Sequence, residues 1–144
     1  YLAEGFPDKY LWPKAVAARA MARAVANEMH AGFSNLRNAC PMNLRRPRKP
    51  VPMSASALAD VARVEDIWRQ CRVKFAKGGK FLFGKFSIAD AMYAPVVTRL
   101  DTYDIQVADD TRAYMDSVMN SSAFGAWKEA ALKEQWIVPS DEVD

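Results

Sequence analysis

The chain has 144 residues, of which 51% are hydrophobic and 26% are charged, with a formal net charge of +3. This length fits one domain with a substantial core, and the interspersed charges of both signs exclude a disordered tail. The net charge is milder than that of most nucleic-acid-binding domains, and no apolar run approaches the roughly 18 residues that span a bilayer. We therefore expect a cytoplasmic protein with no nucleic-acid or membrane partner.

The first residues, YLAEGFPDKYLWP, are typical of the last turn of a helix and a linker. Gly5 suits a C-terminal capping position, and Pro7 just beyond it stops the helix. We predict that residues 1–12 are the end of a preceding helix and an interdomain linker of a longer protein. Residues 13–144 are predicted to form one helical domain.

A long amphipathic helix is predicted from Ala15 to Cys40, with Pro13 near its start and Pro41 ending or kinking it. Its apolar positions recur at spacings of three and four: Ala18, Met21, Val25, Met29, Phe33, Leu36 and Cys40. His30 is the only histidine and lies on a second, polar stripe of the predicted helix, with Arg23, Asn27, Ser34 and Arg37. A solvated face and a functional face both remain open for this polar stripe.

The segment NLRRPRKPVPM, residues 43–53, contains four basic residues and three prolines. Prolines keep such a segment extended and outside the flanking helices. We interpret it as a solvated loop, or alternatively as a contact for an anion or a nucleic acid, although no aromatic residue is interleaved to stack on a base.

A second amphipathic helix is predicted from Ser54 or Ser56 to Phe75, ended by Gly78 and Gly79. Its apolar stripe contains Leu58, Val61, Val64, Trp68, Cys71 and Phe75. The two cysteines, Cys40 and Cys71, have neither CxxC spacing nor a histidine cluster nearby. We expect two reduced, buried thiols and no metal site.

The segment GKFSIADAMYAPVV, residues 84–97, predicts the central helix of the fold. Ser87 and Asp90 have the spacing of a capping box, and the residues up to Leu100 are apolar on nearly every face. Pro95 is expected to kink this helix. Two shorter helices are predicted, from Asp110 to Met119 and from Ser122 to Glu134, so the fold class is an all-α bundle of five to six helices.

This order of helices and the residues FSIAD at 86–90 resemble the C-terminal domain of bacterial, beta-class-like cytosolic glutathione transferases. The stretches NEMHAGFSNLR at 27–37 and SSAFGAWKEAALKE at 121–134 are similar to the fourth and closing helices of that family. The resemblance implies that an N-terminal thioredoxin-like domain, which holds most of the glutathione site and the thiol-activating residue, is absent. The chain would then contain no catalytic residue and be inactive alone, and the full-length enzyme would be a homodimer.

The resemblance also implies candidate site residues. His30 matches a histidine that reaches glutathione from the fourth helix. The candidate walls of the pocket for a small hydrophobic electrophile are Met29, Phe33, Arg37, Tyr93, Val97 and Arg99. Apolar residues at helical spacing more often belong to the core, and Arg99 can instead pair with Asp101.

The inferred activity is conjugation of the co-substrate glutathione to small apolar electrophiles, or a related thiol-transfer, isomerase or peroxidase reaction, without a metal ion. A non-catalytic interaction or scaffold module with the same fold is the alternative. A helical nucleic-acid binder is disfavoured by the mild net charge.

Overall fold

A computed structural model describes residues 1–143. Within this range the chain forms seven α-helices: α1 Leu2–Gly5, α2 Val16–Ala31, α3 Ser34–Ala39, α4 Ala55–Cys71, α5 Ile88–Thr102, α6 Asp109–Met119 and α7 Ser122–Leu132. A π-helical turn, Arg72–Ala76, continues α4, and the only β-type pairing in the described range is two isolated bridges after it. The all-α prediction is confirmed.

The predicted helix from Ala15 to Cys40 is interrupted at Gly32 and Phe33, which corrects the sequence-based expectation. A Cβ atom on Gly32 would lie 2.7 Å from the carbonyl oxygen of Glu28, so this close approach requires glycine. Phe33 adopts a left-handed conformation with φ of 60°, which a bulky residue rarely does. Because the helix stops here, the predicted polar stripe does not continue from α2 into α3.

A long-range contact holds the start of the short helix α3 in place. The backbone N–H of Leu36 in its first turn donates to Asp60 Oδ2 on α4 at 2.9 Å. A carboxylate at this position serves as an N-cap that the local sequence does not supply, since Phe33 has no side-chain acceptor. Helix α3 therefore depends on α4 for its start.

Helix α5 lies at the centre of the bundle, where it packs against α2 and α6. Its buried residues are Ala89, Asp90, Tyr93, Val96, Val97, Thr98 and Leu100. The expectation of burial on nearly every face is only partly right, because Ala91 is exposed and Ala94 and Pro95 are partly exposed. These three residues face a groove that α7 leaves open.

Apart from the break in the first long helix, the predicted helix boundaries agree with the structure to within a few residues. Ser54 is the N-cap of α4, and its hydroxyl accepts from the N–H of Ala57 at 3.1 Å. Leu58, which was assigned to the apolar stripe of this helix, is instead 50% exposed, and Trp127 in α7 is 38% exposed. Residues 1–12, the predicted linker, contact the start of α5, where Leu11 O accepts from the N–H of Ile88 at 2.9 Å.

Candidate functional site

The predicted capping box at the start of α5 is present and buried, with Ser87 5% and Asp90 0% exposed. The Asp90 carboxylate makes two hydrogen bonds with Ser87. Asp90 Oδ2 accepts from the backbone N–H of Ser87 at 2.8 Å and from Ser87 Oγ at 2.9 Å. Asp90 Oδ1 accepts from the N–H of Leu82 at 3.0 Å and from Tyr114 Oη at 3.2 Å. One carboxylate thus joins the loop before α5, the start of α5, and α6.

The Asp90 carboxylate is subject to two opposing effects. Burial raises its pKa above the ordinary value of 3.8, because loss of water disfavours the charged form. The hydrogen bonds from Leu82, Ser87 and Tyr114 act in the opposite direction, since they stabilise the charged form. The pKa of Tyr114 is itself raised by burial and by the adjacent Asp90, so that the phenol keeps the proton it donates.

The four apolar pocket candidates all lie in the core: Met29 is 7%, Phe33 8%, Tyr93 0% and Val97 0% exposed. Tyr93 Oη donates to the carbonyl oxygen of Val25 at 3.1 Å. The Tyr93 ring packs edge-on against Trp68, with 5.6 Å between centroids. All four side chains therefore belong to the hydrophobic core. Contact with an electrophile would require them to repack.

Arg99 is partly buried and binds backbone carbonyl groups rather than a carboxylate. Its Nε donates to Cys40 O at 2.9 Å and its Nη1 to Pro95 O at 3.1 Å. The expected pairing with Asp101 does not form, because Asp101 pairs with Arg112 at 3.0 Å. Arg99 therefore fastens the end of α3 to α5.

Arg37 and His30 lie together at the junction of α2 and α3. Arg37 Nη2 donates to Met29 O at 2.6 Å and to His30 O at 3.1 Å, which bridges the break between the two helices. Burial and the nearby charge of Arg37 lower the pKa of Arg99. The His30 side chain is exposed at this junction, where a ligand can reach it.

The basic segment, residues 43–53, contacts the C-terminal segment, residues 133–143. Arg45 donates from Nη1 to Glu134 O at 3.0 Å and from Nη2 to Trp136 O at 2.6 Å. Arg45 is exposed, as expected of a solvated loop, but its guanidinium is bound to the C-terminal segment. Sequence reasoning missed the contact because the C-terminal segment has no local pattern that indicates a partner.

The next two arginines of the basic segment are also engaged. Arg46 Nε donates to Val143 O at 3.0 Å, and its guanidinium lies 4.6 Å from the centroid of the Tyr103 ring. Arg48 forms an exposed ion pair with Asp104 at 2.6 Å. A cavity of about 270 Å³ lies between the two segments, lined by Met42, Leu44, Arg45, Ala131, Trp136 and Val138 among others.

An open groove of about 380 Å³ lies between α5 and α7. All of its lining residues are apolar: Phe86, Ala91, Ala94, Pro95, Val118, Ala123, Phe124 and Trp127. Phe86 and Trp127 are 42% and 38% exposed. Small-molecule sites usually contain a few polar groups that orient the ligand, so this α5–α7 groove better fits a protein surface.

Cys40 and Cys71 are buried, as predicted, and burial raises the pKa of these thiols to about 11 and about 12. Such thiols are protonated and unreactive at neutral pH. Among residues 1–143 no group of three or more His, Cys, Asp or Glu side chains is placed to hold a metal ion. None of the described helices is long and apolar enough to cross a bilayer.

Comparison with protein-family models matches residues 46–129 to the glutathione S-transferase C-terminal domain. The match covers more than half of the chain and includes α4, α5, α6 and most of α7. The chain belongs to this glutathione S-transferase family. A search of curated proteins found no match.

The glutathione S-transferase match includes the buried capping box but begins after α2 and α3. Membership of the family therefore bears directly on the helical bundle and on α5. The glutathione contact expected of His30 and the beta-class resemblance lie outside what the match supports, and both stay predictions.

Proposed function

We propose that the chain is the helical part of a glutathione transferase that conjugates glutathione to small apolar electrophiles. The observation that carries the proposal is the family match over residues 46–129. In the reaction, the bound glutathione thiol gives up its proton, and the thiolate attacks an electrophilic atom while the leaving group departs. Holding both reactants in attacking geometry supplies much of the rate enhancement.

In this proposal a thioredoxin-like domain supplies the thiol-activating residue and docks on the α5–α7 groove. Two observations support this placement. The groove is lined entirely by apolar side chains, and the linker is bonded to the start of the same helix through Leu11 O and the N–H of Ile88. A domain joined through this linker would lie beside the groove. The complete enzyme is proposed to be a homodimer.

His30 is our candidate for a glutathione contact, because its imidazole is exposed at the α2–α3 junction beside Arg37. An imidazole can donate a hydrogen bond to the tripeptide at neutral pH. Arg37, another of the candidates, donates to the carbonyl oxygen of His30 at 3.1 Å. Changing His30 to Ala in the two-domain protein is expected to raise KM for glutathione about tenfold, whereas Asn27→Ala, one turn away on the same exposed face, is expected to leave it unchanged.

The decisive experiment extends the coding sequence upstream to include the thioredoxin-like domain. The longer protein is expected to be retained on immobilised glutathione and to conjugate glutathione to an activated aryl chloride, and the 144-residue chain to do neither. A longer protein that folds yet neither binds nor turns over would overturn the enzymatic proposal. It would favour the second candidate function, a non-catalytic interaction module, which the apolar lining of the groove also supports.

The docking role of the groove is tested by Ala91→Glu. Ala91 is exposed in the 144-residue chain, so the substitution is expected to change its stability by less than about 0.5 kcal/mol. In the longer protein, a charge buried at the interface is expected to separate the melting of the two domains. A longer variant that still melts in one transition at the wild-type temperature would show that the groove is not the docking surface.

A further inference from the structure

The connection between α4 and α5 concentrates positive charge on one loop. Residues 74–86, here called the lysine loop, contain four lysines and no acidic residue: Lys74, Lys77, Lys80 and Lys85. All four are exposed. Each of the ion pairs found within residues 1–143 is made by an arginine, so the four ammonium groups are not neutralised by a neighbouring carboxylate there.

The backbone of the lysine loop is closed on itself and anchored to the core. The N–H of Gly79 donates to Ala76 O at 2.8 Å, and a Cβ atom on Gly79 would overlap the carbonyl oxygen of Gly84. Leu82 is fully buried, and its N–H is bound by Asp90. Ala76, Gly79 and Gly84, which make these contacts, are each followed directly by a lysine. The contacts therefore hold the Cα atoms of Lys77, Lys80 and Lys85 together.

The aromatic residues of the lysine loop pack against one another. Phe75 pairs with Phe83 at 5.6 Å between centroids, and Phe81 pairs with Phe86 at 5.3 Å. Rings engaged in this way are poor stacking platforms for nucleobases. The loop backbone is paired internally, between Phe81 and Gly84 and between Phe83 and Lys85, so it offers no extended strand edge to a peptide.

The basic segment, residues 43–53, serves as a contrast within the same molecule. Its arginines bind carbonyl groups of the C-terminal segment or pair with Asp104. The lysine loop presents compact ammonium charges instead, which lack the planar fork that recognises single phosphate or carboxylate groups. Unpaired point charges on a preformed loop suit an extended anionic surface.

We propose that the lysine loop is a peripheral docking surface for an anionic lipid bilayer. The contact is electrostatic, inserts no segment into the hydrocarbon, and is independent of the proposed transferase reaction. Each lysine near an anionic membrane surface strengthens binding about fivefold, and the attraction falls off within one Debye length. The expectation of no membrane partner considered only membrane-spanning segments, and it overlooked a local concentration of charge on the surface.

The test measures cosedimentation of the 144-residue protein with vesicles of phosphatidylcholine and phosphatidylserine at a 7:3 ratio. Changing the four loop lysines to Gln is expected to weaken binding by about two to three orders of magnitude. The matched control changes four other exposed lysines to Gln, which gives the same net charge: Lys9, Lys14, Lys128 and Lys133. This control is expected to bind within about threefold of wild type.

Further measurements check this interpretation. Far-ultraviolet circular dichroism confirms that each variant is folded, and the pairs Lys74/Lys77 and Lys80/Lys85, changed separately to Gln, are expected to lose about 25-fold each. Binding should also vanish on pure phosphatidylcholine and fall steeply with salt.

The proposal is overturned if wild type does not bind anionic vesicles, if it binds neutral vesicles equally, or if the control variant loses as much affinity as the loop variant. It is also overturned if duplex DNA or polyglutamate binds the same lysines more tightly than the vesicles do. Those last results would assign the loop to a nucleic acid or to an acidic protein.

Discussion

Asp90 is the residue with the largest number of buried partners at the start of α5. Its two oxygens accept four hydrogen bonds, from the backbone of Leu82 and Ser87 and from two hydroxyl groups. Ser87, the other member of the capping box, interacts mainly with Asp90 itself. The capping-box pattern assigns Ser87 and Asp90 reciprocal roles, whereas in the structure Asp90 makes more of the buried hydrogen bonds.

Ser87→Ala is expected to lower the free energy of unfolding by about 1 kcal/mol, the usual cost of a lost N-cap. Asp90→Ala is expected to cost about 3 kcal/mol or more, because it leaves buried donors of Leu82, Ser87 and Tyr114 without an acceptor. Urea denaturation of both variants measures the difference. Ser122→Ala, at an exposed position, is the control, and equal costs for Ser87 and Asp90 would contradict the role assigned to the carboxylate.

The raised pKa of Asp90 also predicts a pH dependence. A carboxyl group whose pKa is higher in the folded state stabilises the fold fully below its unfolded pKa, and this contribution is lost as pH rises through the folded pKa. The stability advantage of wild type over Asp90→Asn should therefore be largest below about pH 4 and shrink towards neutral pH. Urea midpoints of both proteins across this range test the sign, and an advantage that grows with pH would mean that the hydrogen bonds outweigh burial.

At the scale of elements, the break between α2 and α3 shows how a helical sequence pattern is overridden. Residues 15–40 keep a continuous apolar spacing, yet Gly32 and Phe33 leave the helical conformation. Asp60 then caps α3, and Arg37 binds the last carbonyl groups of α2. The loss of helical hydrogen bonds at the break is offset by contacts from elsewhere in the fold.

Gly32→Ala is expected to destabilise the protein by about 1 to 3 kcal/mol, because its Cβ would lie 2.7 Å from a backbone oxygen that cannot move freely. Gly125→Ala is the matched control. Gly125 lies within α7 with open space around it, so the added methyl group is expected to stabilise the fold by about 0.5 to 1 kcal/mol. Thermal or urea unfolding gives both values, and two changes of the same sign would argue against the close approach at Gly32.

At the scale of the whole molecule, the basic segment binds the C-terminal segment, which follows α7. Arg45 binds carbonyl groups at positions 134 and 136, and Asn43 donates to Glu142 at 2.9 Å. The C-terminal segment leaves Trp136 80% and Ile137 65% exposed, so apolar burial contributes little to holding it. Its position therefore depends on these polar contacts.

Arg45→Ala is expected to loosen the C-terminal segment without unfolding the bundle. Cleavage by chymotrypsin at Trp136 should become several-fold faster. The free energy of unfolding, measured by urea denaturation, should change by less than about 0.5 kcal/mol. Arg48→Ala is the control, because Arg48 lies in the same segment but pairs with Asp104. Equal cleavage rates for the two variants would show that Arg45 does not hold the segment.

Much of the fold was predictable because its signals are local. Apolar spacing predicted the helices within residues 54–75 and 110–134, and the Ser87–Asp90 spacing predicted the cap of the buried helix. The candidate site was less predictable. His30 lies on an exposed face, as a polar stripe indicates, but spacing cannot distinguish a core residue such as Tyr93 from a pocket wall.

The sequence by itself determined the helical class, the positions of most helices and the buried cap of α5, because periodicity and capping involve residues within a few positions of one another. Only the tertiary structure decided where α2 ends, what caps α3 and what the basic segment binds. The partners are 24 residues apart for Leu36 and Asp60, and 89 for Arg45 and Glu134. Contacts over such separations form only once the chain has packed, so no local pattern encodes them.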